Sequence, residues 1–219
     1  MIKNAFLVIA KLGHECFKLE MLELSECLLE FSLNCIDSQS LRLKMATLST
    51  LSACYWRQSK FTESINCMNL ELEMASHLNQ ETNSDGSNTP SNIYFGNIYR
   101  LYGNLASAYQ RLNKLNDCLQ NFKLQLAVSM HIKENLLTIN SFNSIGIVYS
   151  KLKDHVKSLE YFEKAMQLID AYETTTSQSD KILLQKLKLK QNNLIGELTV
   201  SVVFILAKNN INFLFKKSR

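Results

Sequence analysis

Asn104-Leu105-Ala106-x-x-Tyr109-x-x-Leu112-x-Lys114 returns forty residues later as Ser144-Ile145-Gly146-x-x-Tyr149-x-x-Leu152-x-Asp154. Self-similarity at a fixed period of this length marks a stacked array, in which one unit cannot bury its own apolar face and its neighbours must cover it. Function is then expected on an extended surface and not in an enclosed pocket. Composition narrows the elements. A single Pro and six Gly in 219 residues leave too little turn chemistry for a β-sandwich or barrel, while 46% hydrophobic and 20% charged residues suffice for a core. The expected class is all-α.

Counting back from Tyr109, the next aromatic anchor is Tyr55, fifty-four residues away and fourteen beyond the period. Residues 79–92, a polar stretch holding Pro90, account for the excess as a turn-forming insert. A further step of thirty-nine places Cys16 at the anchor, with Leu12, Gly13 and Leu19 around it. Four repeats follow, at about 2–38, 41–78, 95–134 and 135–171, within a repeat region spanning 1–172. The second helix of each unit should show an apolar stripe at i, i+4, i+7 and i+11. It reads Phe61, Ile65, Met68, Leu72; then Leu115, Leu119, Phe122, Leu126; then His155, Leu159, Phe162, Met166. In the first unit Leu22, Leu29 and Leu33 fit and Glu26 does not, as suits an atypical terminal repeat.

These residues resemble the tetratricopeptide repeat: a first helix with Leu, Gly or Ala, and Tyr, a turn, and a second helix with a central aromatic. The lengthened period is similar to that of Pins/LGN-type spindle-orientation adaptors and rapsyn-type clustering scaffolds. The resemblance covers about residues 2–170 and implies a right-handed α-solenoid of antiparallel helix pairs, used to bind protein. Ser64, Cys118 and Ser158 stand where the family has Ala early in the second helix; Glu71 and Gln125 replace a later Ala that Ala165 keeps. Looser helix contact is expected there. The acidic-Gln-Arg modules by which Pins-like proteins bind G-protein α subunits do not occur, so that activity is not carried over.

Residues 173–219 read as a linker, a capping helix and an apolar, basic tail. Ser179 or Asp180 is a candidate N-cap, followed by Ile182, Leu183, Leu187, Leu194 and Leu198 on one side and Lys181, Lys186, Lys188 and Lys190 on or near the other. The apolar run from Val200 to Ala207 is too short to span a bilayer, which takes roughly twenty residues. Lys216-Lys217-Ser218-Arg219 reads as a solvated basic end. The first ten residues lack a cleavage site, and the six cysteines form no Cys-x-x-Cys pair, so a cytosolic chain with reduced thiols is expected.

Chemistry is harder to find. His14, His77, His131 and His155 form no ligand pair, and no phosphate loop, nucleophile elbow or zinc-helix motif occurs. No enzyme activity, cofactor or metal is expected. The net charge of +4 is dispersed, which does not suggest nucleic acid. What recurs is a cation two residues after each anchor: Lys18, Arg57, Arg111 and Lys151. Joined by Arg100 and the amides Asn104, Asn140 and Asn143, with Trp56 as an apolar anchor beside Phe17, these form a candidate site for an extended acidic segment of a partner protein. Two plainer uses stand beside it: the cations solvate helix C-termini, and Trp56 packs between repeats. The family's carboxylate clamp is not matched, since Ser107 and Ser144 occupy places where amides are wanted. A second function class is a subunit that oligomerises through the apolar region Val200 to Phe215.

Overall fold

The computed structural model describes residues 2–35, 41–84, 91–173, 184–200 and 202–203, and within these the side chains except at 2–5, 78–84 and 91–93. The described residues form helices joined by tight turns, without a strand, as the class requires. The helices are α1 (Ile2–Lys18), α2 (Leu22–Cys35), α3 (Leu41–Arg57), α4 (Phe61–Ser84), α5 (Ser91–Arg111), α6 (Leu115–Ile132), α7 (Asn135–Lys151) and α8 (His155–Glu173). A ninth, α9, covers 184–200. Helices α1–α2, α3–α4 and α7–α8 pack as pairs, the building unit of a helical solenoid. One boundary differs. Residues 79–84 of the expected insert continue α4, and α5 already begins at Ser91. Residues 79–84 contain neither Gly nor Pro, so nothing in them stops a helix once its preceding turns are packed.

Each anchor earns its periodicity through the turn that follows it. The backbone N–H five residues on donates to the anchor carbonyl: Met21 to Cys16, Lys60 to Tyr55, Lys114 to Tyr109 and Asp154 to Tyr149, at 2.8–3.0 Å. The N–H one residue earlier donates to the carbonyl after the anchor, as in Ser59 to Trp56 at 3.0 Å. This is the Schellman closure of a helix, which needs a left-handed residue at its hinge. Glu20, Ser59, Asn113 and Lys153 fill that position with φ between 57° and 62°. None is glycine, so only Asn113 is a residue that tolerates the conformation well.

A second periodic contact lies twelve residues apart. The buried hydroxyls of Ser25, Ser64 and Ser158 donate to the carbonyls of Gly13, Ser52 and Gly146 at 2.9, 2.9 and 2.7 Å. Those carbonyls all lie three residues before an anchor. The serines in place of alanine therefore do not loosen the pairs; a hydroxyl little larger than a methyl keeps the helices close and adds a bond. Gly146 shows how close: a Cβ there would come within 2.5 Å of Cε1 of the buried Phe162 ring.

By packing, the chain divides into two compact units, Met1–Asn121 and Phe122–Arg219, with the division inside α6. In the first unit Leu29, Leu48, Leu51, Tyr55 and Cys67 form one core cluster, and Ile65, Met68, Leu101, Leu105 and Ala108 the next. Glu26, the misfit of the first stripe, accepts from Lys60 at 2.7 Å and Gln58 at 2.6 Å, tying α2 to the turn after α3. The Tyr55 hydroxyl donates to Glu30, and burial pushes the Cys67 thiol up to about 11, which keeps it neutral at pH 7. Cys16, Cys54, Cys67 and Cys118 are buried, as small hydrophobes in apolar stripes should be, while Cys27 is exposed.

In the second unit Leu184 of α9 is buried against Ile139, Ala165 and Ile169, and Gln191 donates to the carbonyl of Phe162 at 2.9 Å. Lys188 reaches Asp170 at 2.6 Å. The helix read from sequence as a cap packs, over 184–200, into the second core; its candidate N-caps and residues 201 and 204–219 lie outside the described residues.

Two substitutions read these constraints. Ser59→Gly should raise stability by about 0.5–1 kcal/mol, since glycine adopts the left-handed region without penalty. Gly146→Ala should lower it by about 1–3 kcal/mol despite the better helix propensity of alanine, because the fixed Phe162 ring must move. Urea unfolding monitored by circular dichroism checks both signs.

Candidate functional site

The repeated cations occupy the last residue of α1, α3, α5 and α7, and all four are exposed. A helix C-terminus favours a cation there through its unpaired carbonyls. In the first unit they do more. The Arg57 guanidinium lies 4.8 Å from the centroid of Phe17 and 3.2 Å from Glu20; Arg111 lies 5.9 Å from the ring of Trp56. Each arginine thus stacks on the aromatic residue that follows the anchor of the preceding repeat. Lys18 pairs with Glu15 at 2.7 Å on its own helix. These exposed ion pairs contribute little, about 0–1 kcal/mol each, so an incoming anion can compete for the cations.

Trp56 plays the two parts considered for it. Its ring meets Phe61 edge-on at 5.2 Å and packs against the Ile65–Leu101 core, yet it also faces a cavity. That cavity, of about 460 Å³, is lined by Phe17, Trp56, Arg57, Arg100 and Asn104. Ser49, Ser52, Ala53, Ser64 and Ser107 add small side chains to its wall beside Met68, and these let an extended backbone come close. The spacing Ser49, Ser52, Ala53 on one face of α3 was the sequence signal for this wall. Of the six candidates in the first unit, Trp56, Arg57, Arg100 and Asn104 line the cavity, whereas Lys18 and Arg111 do not.

Arg100 is held from below. Its Nη2 donates to Oε1 of Glu71 at 2.8 Å, with the Glu71 side chain buried and Arg100 partly exposed. Glu71 stands at the register of Ala165, so a carboxylate fills a close-packed helix contact, and its Oε2 is buried without a hydrogen-bond partner. Burial raises the Glu71 pKa, and the charge and hydrogen bond of Arg100 only partly oppose it.

In the second unit the remaining candidates are spread over α7. Asn140 is exposed at the register of Arg100, and Asn143 is buried with its amide oxygen unpartnered. Lys151 borders a cavity of about 270 Å³ together with His155, Glu197 and Leu198. Among the described residues no group of three or more His, Cys, Asp or Glu side chains is placed to hold a metal, and no helix is long and apolar enough to cross a membrane. His14, read from sequence as a packing residue, bonds the Thr50 hydroxyl through Nδ1 at 2.6 Å, and burial lowers its pKa.

The paired helices and the turns that join them are those of a helical-repeat solenoid. Residues 97–171 match the family model described as tetratricopeptide repeat. The match is to the repeat as such and does not single out the lengthened-repeat adaptors. Comparison with curated proteins finds no significant match. Among solved structures the fold is similar to that of the yeast histone chaperone Hif1, at 9% identity over 90% of this chain and 96% of that one, with a TM-score of 0.67. It is also similar to apo RapI, at 18% identity over 94% and 72%, TM-score 0.62, and to BtubC from P. vanneervenii, at 14% over 98% and 82%, TM-score 0.58.

The Glu71–Arg100 pair gives a thermodynamic signature. Arg100→Ala, which strands the buried carboxylate, should cost about 1.5–3 kcal/mol, and adding Glu71→Ala should restore most of it, since repeat four packs alanine there. A raised folded pKa means the folded state binds the proton more tightly than the unfolded chain. Wild-type stability relative to Glu71→Gln should therefore fall as pH rises from the ordinary glutamate value through the raised one, and level off above it. Urea midpoints for both proteins between about pH 4 and 8 measure this.

Proposed function

We propose that this chain is a non-enzymatic, cytosolic scaffold that captures an extended acidic segment of a partner protein along the groove of the first unit. The cavity carries the reading: it gathers Arg57, Arg100 and Asn104 beside Trp56 on helices already locked together by core clusters. A ligand carboxylate meeting Arg57 displaces a weak, exposed contact with Glu20 and gains a charge-assisted hydrogen bond in its place. Arg100, fixed by Glu71, is preorganised to receive a second. Asn104 offers both a donor and an acceptor to an extended main chain. When Arg57 and Arg111 swing toward an anion, they uncover Phe17 and Trp56 for an apolar side chain of the same segment.

The coarser statement, that the repeat array is a protein-binding platform, draws support from the family match and from the yeast neighbour, itself a scaffold recruiting protein complexes to core histones. The partner of that neighbour is not carried over.

Binding of acidic peptides, followed by fluorescence anisotropy, should weaken roughly tenfold or more in Arg57→Glu combined with Asn104→Ala, with the urea midpoint unchanged. The wild-type advantage should shrink as salt rises from about 50 to about 300 mM. Equal affinity of the two proteins at low salt would remove the groove from the account.

A further inference from the structure

The groove wall holds two charged side chains, Arg57 and Arg100. Three of its serines add no donor for an anion: Ser52, Ser64 and Ser107 commit their hydroxyl protons to the carbonyls of Ser49, Ser52 and Gly103, each at 2.9 Å. How firmly the groove holds an acidic segment therefore depends on how much of each guanidinium charge is available. The two are neutralised differently. Glu20, the partner of Arg57, is 80% exposed and can turn into solvent when a ligand carboxylate arrives. Glu71, the partner of Arg100, is 4% exposed and has no such exit.

A ligand carboxylate at Arg100 then shares one guanidinium with a second carboxylate that cannot leave. A proton on one of the two relieves the repulsion, and the buried one takes it because burial already disfavours its charge. Position is kept when this happens. Oε2 of Glu71 is buried without a hydrogen-bond partner and can carry the proton, while Oε1 goes on accepting from Nη2 of Arg100 at 2.8 Å. Arg100 stays in place and its charge is released to the ligand. Helices α3 and α5 both pack on α4, and among the described residues the charge from them that acts on Glu71 is Arg100. Cys67, one turn back on the same helix as Glu71, remains a neutral thiol at pH 7.

We infer that Glu71 is a positioning residue that makes the groove sensitive to pH: an acidic segment binds with uptake of a proton by Glu71, and its affinity falls as that carboxyl ionises. This coupling presupposes the acidic-segment reading of the groove. The complex holds the proton more tightly than the free protein does, so the gain is fully present at low pH and is lost as pH rises through the titration of Glu71 in the complex. Ser32, Gln125 and Ala165 stand at the same register in the other repeats and do not titrate, so the proton site belongs to the second repeat alone.

Glu71→Gln tests this, since its amide oxygen can still accept from Arg100 but carries no charge, and Gln125 shows that the register accepts a buried amide. Anisotropy titrations at about 50 mM salt, from about pH 5 to 8, use a peptide of aspartates, whose carboxyls stay ionised throughout. Wild-type affinity should fall roughly five- to tenfold across this range, whereas that of Glu71→Gln should stay level and exceed the wild type at pH 8 by a similar factor. Calorimetry in two buffers of different ionisation enthalpy should show a net proton uptake on binding to the wild type that the variant lacks. A Glu71 that only supports the fold would shift the urea midpoint and leave the two pH profiles parallel. Parallel profiles, or proton release on binding, overturn the coupling and leave the groove standing as long as Arg57→Glu still weakens binding. A peptide that binds neither protein, or that is indifferent to Arg57→Glu, overturns the groove reading and the coupling with it.

Discussion

The close approach of two helices at one point per repeat underlies everything else in this molecule. Three residues before three of the four anchors the backbone of the first helix comes near enough for a serine of the second helix to reach its carbonyl, and at Gly146 near enough to exclude even a methyl. At Gly146 that approach brings Phe162 against α7. The Schellman turn, which needs a left-handed residue, fixes where each second helix starts. With both in place, residues after the anchor recur at equivalent points, and an arginine of one repeat can lie over an aromatic ring of the one before.

This architecture was legible in the sequence because periodicity survives where individual positions do not. Tyr109 and Tyr149 gave the phase, and the apolar stripes of the second helices confirmed it from independent residues. Polar side chains with a partner far along the chain were less legible. Glu26 breaks the first stripe in sequence, yet in the fold it joins Lys60 and Gln58 at the next turn. Ser64 and Ser158 look like lost alanines until their acceptor carbonyls, twelve residues upstream, are known. The end of α4 was hidden for another reason: a polar run without Pro or Gly can extend a helix or leave it, and tertiary packing decides.

The site was legible in part. Repetition marked Arg57, and Trp56, Arg100 and Asn104 also fall on the cavity, but no spacing in the chain pairs Glu71 with Arg100 or sets Phe17 and Trp56 beneath arginines. The groove is therefore less positive than a count of cations implies and more organised: its charges are placed, partly neutralised and exchangeable. Such a surface favours an anionic segment with modest affinity and strong salt dependence over a tight, buried ligand.

Trp56 is the single tryptophan of the chain and stands in the cavity wall, so its fluorescence reports on the groove alone. A titration of the purified protein with an extended acidic peptide, followed at Trp56, tests the central claim most directly. The account predicts a saturable spectral change that reverses on raising the salt and does not occur with a peptide of the same length in which lysine replaces the acidic residues. Binding of the acidic peptide, seen by anisotropy of a label, that leaves the Trp56 spectrum unchanged would contradict it.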